Sequence, residues 1–211
     1  TDGVINTWAS GEMKDIRLYN KKQSADWIKN EYNKANPESD LVFATMDGVK
    51  DLSVNKRTIT KYNYPTTGKR INFATNGNGY FTIPDSSDLD LTNQFTVSAW
   101  INPIVSVTEV HRIVAKEVTG NGWSFGLANL NVFQIYSGSI LGGVASVDSA
   151  NNTINSGKWQ HIVGTFASGT SGTINLFYNG NNVKSSSCNG LIASNDLNVG
   201  IGARPSGGVF Y

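Results

Sequence analysis

Short runs of alternating apolar and polar residues cover most of the chain and predict β-strands. The alternation is clearest at residues 12–19 and 95–101. Period-two patterns bounded by Gly, Asn and Ser are typical of strands with one buried face. The same pattern predicts further strands at residues 41–44, 70–73, 79–83, 112–115, 123–127, 132–137, 140–147, 159–166, 173–178, 197–201 and 209–211.

Turn sequences separate these strands. Asn76-Gly77-Asn78-Gly79 lies between the predicted strands 70–73 and 79–83. Because Asn-Gly pairs favour tight turns, this segment predicts a hairpin. A Gly/Ser-rich turn at residues 168–172 separates two later strands in the same way.

One segment, residues 24–35, has apolar residues at helical spacing. Ser24 is a suitable N-cap and Pro37 follows the predicted end of the helix. We expect the apolar face of this helix to pack on the rest of the chain, with Trp27 as its docking residue.

Many short strands with a single helix predict an all-β protein. A parallel sheet needs a crossover connection for each strand, and one helix does not supply them. We therefore predict an antiparallel β-sandwich of the jelly-roll type, with one short α-helix near the N-terminus.

Composition and charge exclude several classes of function. The 211 residues include 17 Lys and Arg against 16 Asp and Glu, a net charge of +1. This balance argues against nucleic acid as a partner, since a nucleic-acid binder needs a basic surface. No apolar run reaches the roughly 18 residues that cross a bilayer, so no membrane insertion is expected. Cys188 is the single cysteine, which excludes an intrachain disulfide and a cysteine-based zinc cluster.

Several motifs resemble one family in content and in order. They are NGYFTIPD at residues 78–85, FTVSAWI at 95–101, KWQHIVGTF at 158–166, LFYNG at 176–180 and NVGIG at 198–202. The chain, over roughly residues 40–211, resembles a laminin-G-like domain of the concanavalin A-like lectin/glucanase superfamily, which includes the pentraxins. The resemblance implies a jelly roll.

One motif of that family stands at an unexpected place. The family's C-terminal strand and helix resemble GEMKDIRLYN at residues 11–20 and SADWI at 24–28, near the N-terminus of this chain. We divide the chain into residues 1–37, which resemble the end of such a domain, and residues 38–211, its main body. We expect the two parts to form one structural unit.

Three arrangements would place the N-terminal strand in a sheet. It would close the sandwich of its own chain as a circular permutant, or close a neighbour's sandwich by strand exchange. Alternatively, the chain is a slice of a tandem array with sister domains. We predict closure within one chain, because the termini of a sandwich often lie close together.

No catalytic constellation is evident. Glycosidases of the superfamily use paired carboxylates on a Glu-x-Asp-x-Glu strand, which this sequence lacks. We interpret Asp85, Asp88 and Asp90 as turn-capping residues and His161 as a packed structural histidine. The chain is therefore predicted not to be an enzyme.

Candidate ligand-binding residues fall on or beside the middle strands, which often line the concave face of such jelly rolls. Amide, imidazole and phenol groups suit the hydroxyls and C–H faces of a sugar. The candidates are His111, Asn121, Asn129, Gln134 and Tyr136.

A structural calcium ion is the candidate cofactor. Calcium takes several oxygen ligands, and the loop from Asp47 to Asn55 carries oxygen side chains. Domains that this chain resembles often hold one Ca²⁺, and the resemblance places ligands at Asp47 and at Asp15, before the strand in the N-terminal segment. Asp15, Asp47 and Asn55 are the predicted metal ligands.

These expectations favour a non-catalytic, extracellular carbohydrate-binding or adhesion module whose partner is a glycan or a surface protein. The alternative is a structural or assembly domain of a cell-surface, pilus or virion protein, which binds protein partners by strand exchange. Fold alone does not decide between them.

Overall fold

β-Strands dominate the computed structural model, which describes residues 11–34, 44–45, 48–49, 56–62, 71–73, 79–104, 110–118, 121–128, 132–139 and 143–205. One helix, α1, spans Ala25–Lys34. The strands are β1 Gly11–Tyr19, β2 Ala44–Thr45, β3 Gly48–Val49, β4 Thr60–Tyr62, β5 Ile71–Phe73, β6 Tyr80–Ile83, β7 Gln94–Pro103, β8 His111–Val118, β9 Asn121–Ala128, β10 Val132–Ser139, β11 Gly143–Asp148, β12 Gln160–Ala167, β13 Thr173–Tyr178, β14 Asn181–Ser187 and β15 Val199–Ile201. A short 3-10 turn spans Ser87–Leu89.

Two antiparallel sheets face each other across one apolar core. Within the described residues, one sheet has the order β14-β13-β12-β7-β1-β5 and the other has the order β11-β10-β9-β8-β15-β6-β4. Alternate residues of both sheets fill the space between them, among them Phe95, Val97, Trp123, Phe125 and Phe166. This is the predicted antiparallel sandwich with one short helix, and it is consistent with a jelly roll.

β1 lies inside the six-stranded sheet, between β7 and β5 of the same chain. Met13 is in register with Ile101 on β7 and with Ile71 on β5, and its side chain is fully buried. A strand from the front of the chain therefore occupies an interior position in the sheet, next to the edge strand β5. The predicted boundary at residue 37 and the predicted strand 209–211 lie outside the described residues.

The predicted hairpin at Asn76–Gly79 is wrong. β5 pairs with β1 in the six-stranded sheet, whereas β6 pairs with β15 and β4 in the seven-stranded sheet. The chain crosses from one sheet to the other between these strands. A turn sequence reports a change of direction, but it does not report which sheet the next strand joins.

Three strands of the structure were absent from the sequence prediction. β3 has two residues and β4 has three, and β14 is an edge strand whose seven residues are all exposed. Because β14 buries neither face, its polar sequence carries no alternation. Cys188 follows β14 directly and belongs to the core.

α1 packs on the outer surface of the six-stranded sheet. Ser24 caps it as predicted, since its Oγ accepts a hydrogen bond from Trp27 N at 3.1 Å. Ile28 is fully buried against Val163 and Phe177, and Trp27 packs beside them while partly exposed. Ile28, rather than the predicted Trp27, is thus the deepest contact. In the described part of the chain, no helix has the length and apolar character to cross a membrane.

Candidate functional site

Polar side chains meet on the outward face of the seven-stranded sheet. Trp123, Phe125 and Leu127 of β9 belong to the core, so the alternating residues Ser124 and Gly126 lie on the opposite, outward face. Paired residues on neighbouring strands share a face. Two rows therefore cross this outward face: one of Arg112, Gly126 and Gln134, and one of Ala115, Ser124 and Tyr136.

Glu117 is the centre of an ion-pair network on this face. Arg112 Nε donates to Glu117 Oε1 at 2.7 Å, and Arg112 Nη2 lies 2.6 Å from the same oxygen. Ser124 Oγ donates to Glu117 Oε2 at 2.9 Å, and Arg204 Nε lies 3.5 Å from Oε1. Arg112 is 7% exposed and Glu117 is 1% exposed. Each buried charge needs its partner, because an unpaired charge in such a place is very costly.

A β-bulge explains why the sequence did not reveal this network. Residues five apart in a regular strand lie on opposite faces. The register between β8 and β9 shifts between Arg112 and Val114, and the extra residue puts Arg112 and Glu117 on the same face. The signal in the sequence was the presence of Arg112 and Glu117, two opposite charges, in one short strand. Strict alternation would place these two side chains on opposite faces of the sheet, so the sequence did not pair them.

The structure brings together some of the five predicted ligand residues. The positions of Gln134 and Tyr136 belong to the two rows on the outward face. His111 and Asn121 begin β8 and β9, and because these strands are antiparallel the two residues lie at opposite ends of the pair. Asn129 lies outside the described residues. The predicted set is therefore not one cluster.

Asp15 is the one predicted metal ligand among the described residues; Asp47 and Asn55 lie outside them. Asp15 has a φ of 50° at a bulge of β1, and its Oδ1 accepts a hydrogen bond from Arg17 Nε at 2.6 Å. Burial raises the pKa of the Asp15 carboxyl, against the lowering effect of Arg17. A calcium ion at Asp15 would have to compete with this guanidinium. No group of three or more His, Cys, Asp or Glu residues suited to a metal occurs in the described part.

Lys116 is a buried cation held by oxygen atoms. Its Nζ lies 2.7 Å from Asp85 Oδ1 and 2.8 Å from Asp90 Oδ1, and it also donates to the backbone oxygen of Asn195. Asp88 instead pairs with Arg57. Ion pairing is therefore the role that these contacts give the acidic cluster, and its predicted turn capping stays a prediction.

His161 is packed beneath α1 on the outer surface of the six-stranded sheet, as the sequence predicted for a structural histidine. Its Nε2 lies 2.9 Å from Ser98 Oγ, and Tyr32 of α1 stacks over both His161 and Trp100. Burial, together with the nearby charge of Arg17, lowers the pKa of His161 to about 4. Covered by the helix, this group has a structural role.

Comparison with protein families identifies the fold family. The sequence profile of Laminin_G_3, described as the concanavalin A-like lectin/glucanases superfamily, matches residues 75–211, more than half of the chain. The chain belongs to this family. The predicted resemblance is confirmed, and the Laminin_G_3 match covers the strands that carry the outward face.

Solved structures with the same fold are toxin binding domains. The binding domain of Paraclostridial Mosquitocidal Protein 1 is 18% identical with a TM-score of 0.55, over 76% of this chain and 42% of that one. The receptor binding domain of botulinum neurotoxin mosaic serotype C/D is 15% identical with a TM-score of 0.59, over 77% and 42%.

A third structure is 14% identical with a TM-score of 0.52, over 79% of this chain and 43% of that one. It concerns botulinum neurotoxin type C, whose cell entry depends on interaction with two ganglioside molecules. This Laminin_G_3 chain spans about two fifths of the length of these structures. Identities at this level show a shared fold alone. No curated protein sequence matches the chain.

The family's description covers both lectins and glucanases. A second carboxylate of the outward face, Asp148 of β11, shares the row of Gln134. Glu117 is engaged by Arg112 and Ser124. A general acid or nucleophile needs a carboxyl that reaches the substrate, whereas this one holds the sheet face together.

Proposed function

We propose that this Laminin_G_3 chain is a non-catalytic, extracellular carbohydrate-binding or adhesion module that binds its ligand on the outward face of the seven-stranded sheet. The observation that carries the proposal is the Arg112–Glu117–Ser124 network, a group of buried hydrogen-bonding side chains on the face of the sheet opposite the apolar core. Fixed polar groups of this kind supply the orientation and specificity of a ligand site.

The neighbours support this choice of ligand. They are binding domains, and one is linked to gangliosides, which are glycolipids. Toxin binding domains act at cell surfaces, which supports an extracellular or cell-surface location for the module.

A glycan array with the purified chain tests the proposal. We expect binding to a subset of plant, microbial or animal glycans. Gln134→Ala and Tyr136→Ala, at positions on the outward face, should reduce binding. Asn182→Ala, at an exposed position of β14 in the other sheet, should not. Absence of binding to every glycan would contradict the carbohydrate function.

The second candidate is an assembly domain that binds protein partners by strand exchange. The observation that favours it is the place of β1, an N-terminal strand held by hydrogen bonds on both edges. A strand with these two neighbours fits the equivalent place in a second copy equally well. A glycan-negative array together with self-association in solution would favour this function.

A structural calcium ion remains part of the proposal, with Asp15, Asp47 and Asn55 as its ligands. Such an ion would join the N-terminal segment to the main body. Thermal unfolding with Ca²⁺ and with EDTA tests it, since a ligand that binds the folded state raises the midpoint. An unchanged midpoint would count against the ion, and Asp15→Asn should remove the calcium effect.

A further inference from the structure

The guanidinium of Arg112 has one occupied edge and one edge without a partner. Nε and Nη2, which form the side edge, lie within hydrogen-bond distance of Glu117 Oε1. Nη1 is buried and has no hydrogen-bond partner in the part of the chain that the structure describes. A buried nitrogen of a charged group without a hydrogen bond lowers the stability of the fold. The presence of such a nitrogen in Arg112, which is 7% exposed, therefore needs an explanation.

The position of this edge relates it to the ligand face. Arg112 shares its row on the outward face with Gly126 and with the position of Gln134. Two strand spacings separate Arg112 from Gln134, roughly 10 Å, which is the span of a disaccharide. Arg204, the other guanidinium of the network, is a quarter exposed and its Nε lies 3.5 Å from Glu117 Oε1.

We infer that Arg112 binds the carboxylate of an acidic sugar, such as a sialic or uronic acid, through the end edge formed by Nη1 and Nη2. This inference rests on the proposed carbohydrate function and names the class of glycan. The ligand carboxylate occupies the end edge while Glu117 keeps the side edge, so that one guanidinium bridges two carboxylates.

The geometry favours a carboxylate over other anions. The end edge of a guanidinium presents two parallel N–H groups in one plane, which match the two oxygens of a planar carboxylate. A polyanion such as nucleic acid needs a broad basic surface, and the chain has a net charge of only +1. A single buried fork selects one charged group on an otherwise neutral ligand.

The ligand-side experiment leaves the protein unchanged. Isothermal titration calorimetry compares 3′-sialyllactose, its methyl ester, lactose, a sulfated lactose and a disaccharide that contains glucuronate. We expect a carboxylate sugar to bind roughly tenfold to hundredfold more tightly than the ester or lactose, the factor typical of a charged hydrogen-bond pair. The sialic and uronic compounds distinguish the two sources of the carboxylate.

The protein-side experiment uses Arg112→Lys, which keeps the positive charge beside Glu117 but removes the fork. Arg57→Lys is the matched control, because Arg57 pairs with Asp88 away from this network. Urea unfolding establishes that each variant is folded. We expect Arg112→Lys to lose the preference for the acid over its methyl ester, and Arg57→Lys to keep it. If Arg112→Lys does not fold, the ligand series on the unchanged chain still decides.

The possible failures are distinguishable. Equal binding of the ester, or of sulfated lactose, would overturn the carboxylate assignment while the carbohydrate function stands. Binding of neutral glycans alone would do the same. No binding to any acidic or neutral glycan, in this series and on the array, would overturn both proposals.

Discussion

His161 shows how the fold changes the chemistry of one residue. Its ring lies between the sheet and Tyr32 of α1, with Ser98 as its hydrogen-bond partner. Burial is the largest cause of its lowered pKa, about 4 against an ordinary 6.5, and the charge of Arg17 is the second. The neutral form is therefore the one that fits the folded state.

This shift predicts a loss of stability in acid. Between pH 6.5 and pH 4 the unfolded chain binds a proton at His161 that the folded chain does not bind, so the free energy of unfolding falls as the pH falls. The loss should approach about 3 kcal/mol by pH 4. Urea unfolding of the wild type and of His161→Gln over this range measures it, because the variant lacks the titration.

The control for this prediction is His111→Gln, which changes the chain's other histidine. If it alters the pH dependence in the same way as His161→Gln, the effect does not belong to His161. Asp15 has a raised pKa, so it stabilises the fold as the pH falls, but it is present in all three proteins and cancels in the comparison. Parallel pH curves for wild type and His161→Gln would show that His161 does not titrate as described.

Lys116 provides a second test at a single residue. Lys116→Met removes the ammonium group and leaves Asp85 and Asp90 without it. Breaking a buried ion pair is strongly destabilising, and since the two carboxylates remain partly exposed we expect a loss of about 2–3 kcal/mol in the free energy of unfolding. Lys184→Met, on the exposed edge strand β14, should change it by less than about 0.5 kcal/mol. Similar unfolding midpoints for the two variants would contradict a stabilising role for the ion pairs of Lys116 with Asp85 and Asp90.

The N-terminal elements, β1 and α1, act together on the six-stranded sheet. β1 supplies an interior strand, and α1 covers the outer surface of β12 and β13 through Ile28. Arg17 of β1 also pairs with Glu31 of α1. A short helix has little stability of its own, so α1 depends on this docking.

Ile28→Ala tests the docking of α1. The substitution removes a fully buried side chain that packs against Val163 and Phe177, and we expect a cost of about 2–3 kcal/mol. Asn30→Ala, an exposed position two residues later, should be neutral within about 0.5 kcal/mol. Chemical denaturation followed by tryptophan fluorescence measures both. Equal stability of the two variants would mean that α1 does not pack on the sheet through Ile28.

At the scale of the whole molecule, the decisive feature is that one chain closes its own sandwich. β1 pairs with β7 along most of its length and with β5 at its start. Closure by a strand of the same chain is favoured over strand exchange. When β1 comes from a second copy, the association of the two chains costs translational and rotational freedom, and closure within one chain avoids this cost.

Light scattering coupled to size-exclusion chromatography measures this closure. The expected mass is that of one 22.8 kDa chain, and it should not rise with protein concentration. A stable dimer that turns into monomer on deletion of residues 11–19 would instead support strand exchange and the assembly function.

Much of the fold was predictable from local pattern. The strands at residues 12–19 and 95–101, and the helix with its Ser24 cap, lie where the sequence placed them, because alternation and capping depend on neighbouring residues. β14 was not predictable, since an exposed edge strand has no buried face to produce a pattern. Of the candidate ligand face, only the positions of Gln134 and Tyr136 were predicted.

The sequence alone predicted an all-β sandwich, because strand periodicity and turn residues can be recognised within short segments. It also lacks the paired-carboxylate strand of the glycosidases, which is likewise a local motif. The pairing of strands that are distant in the sequence determined the rest of the fold and of the candidate site. It sent β5 and β6 to different sheets, buried His161 beneath a helix from the other end of the chain, and used a bulge to join Arg112 to Glu117. Such outcomes depend on which distant strands meet and in what register, and a one-residue shift reverses the face of every side chain that follows.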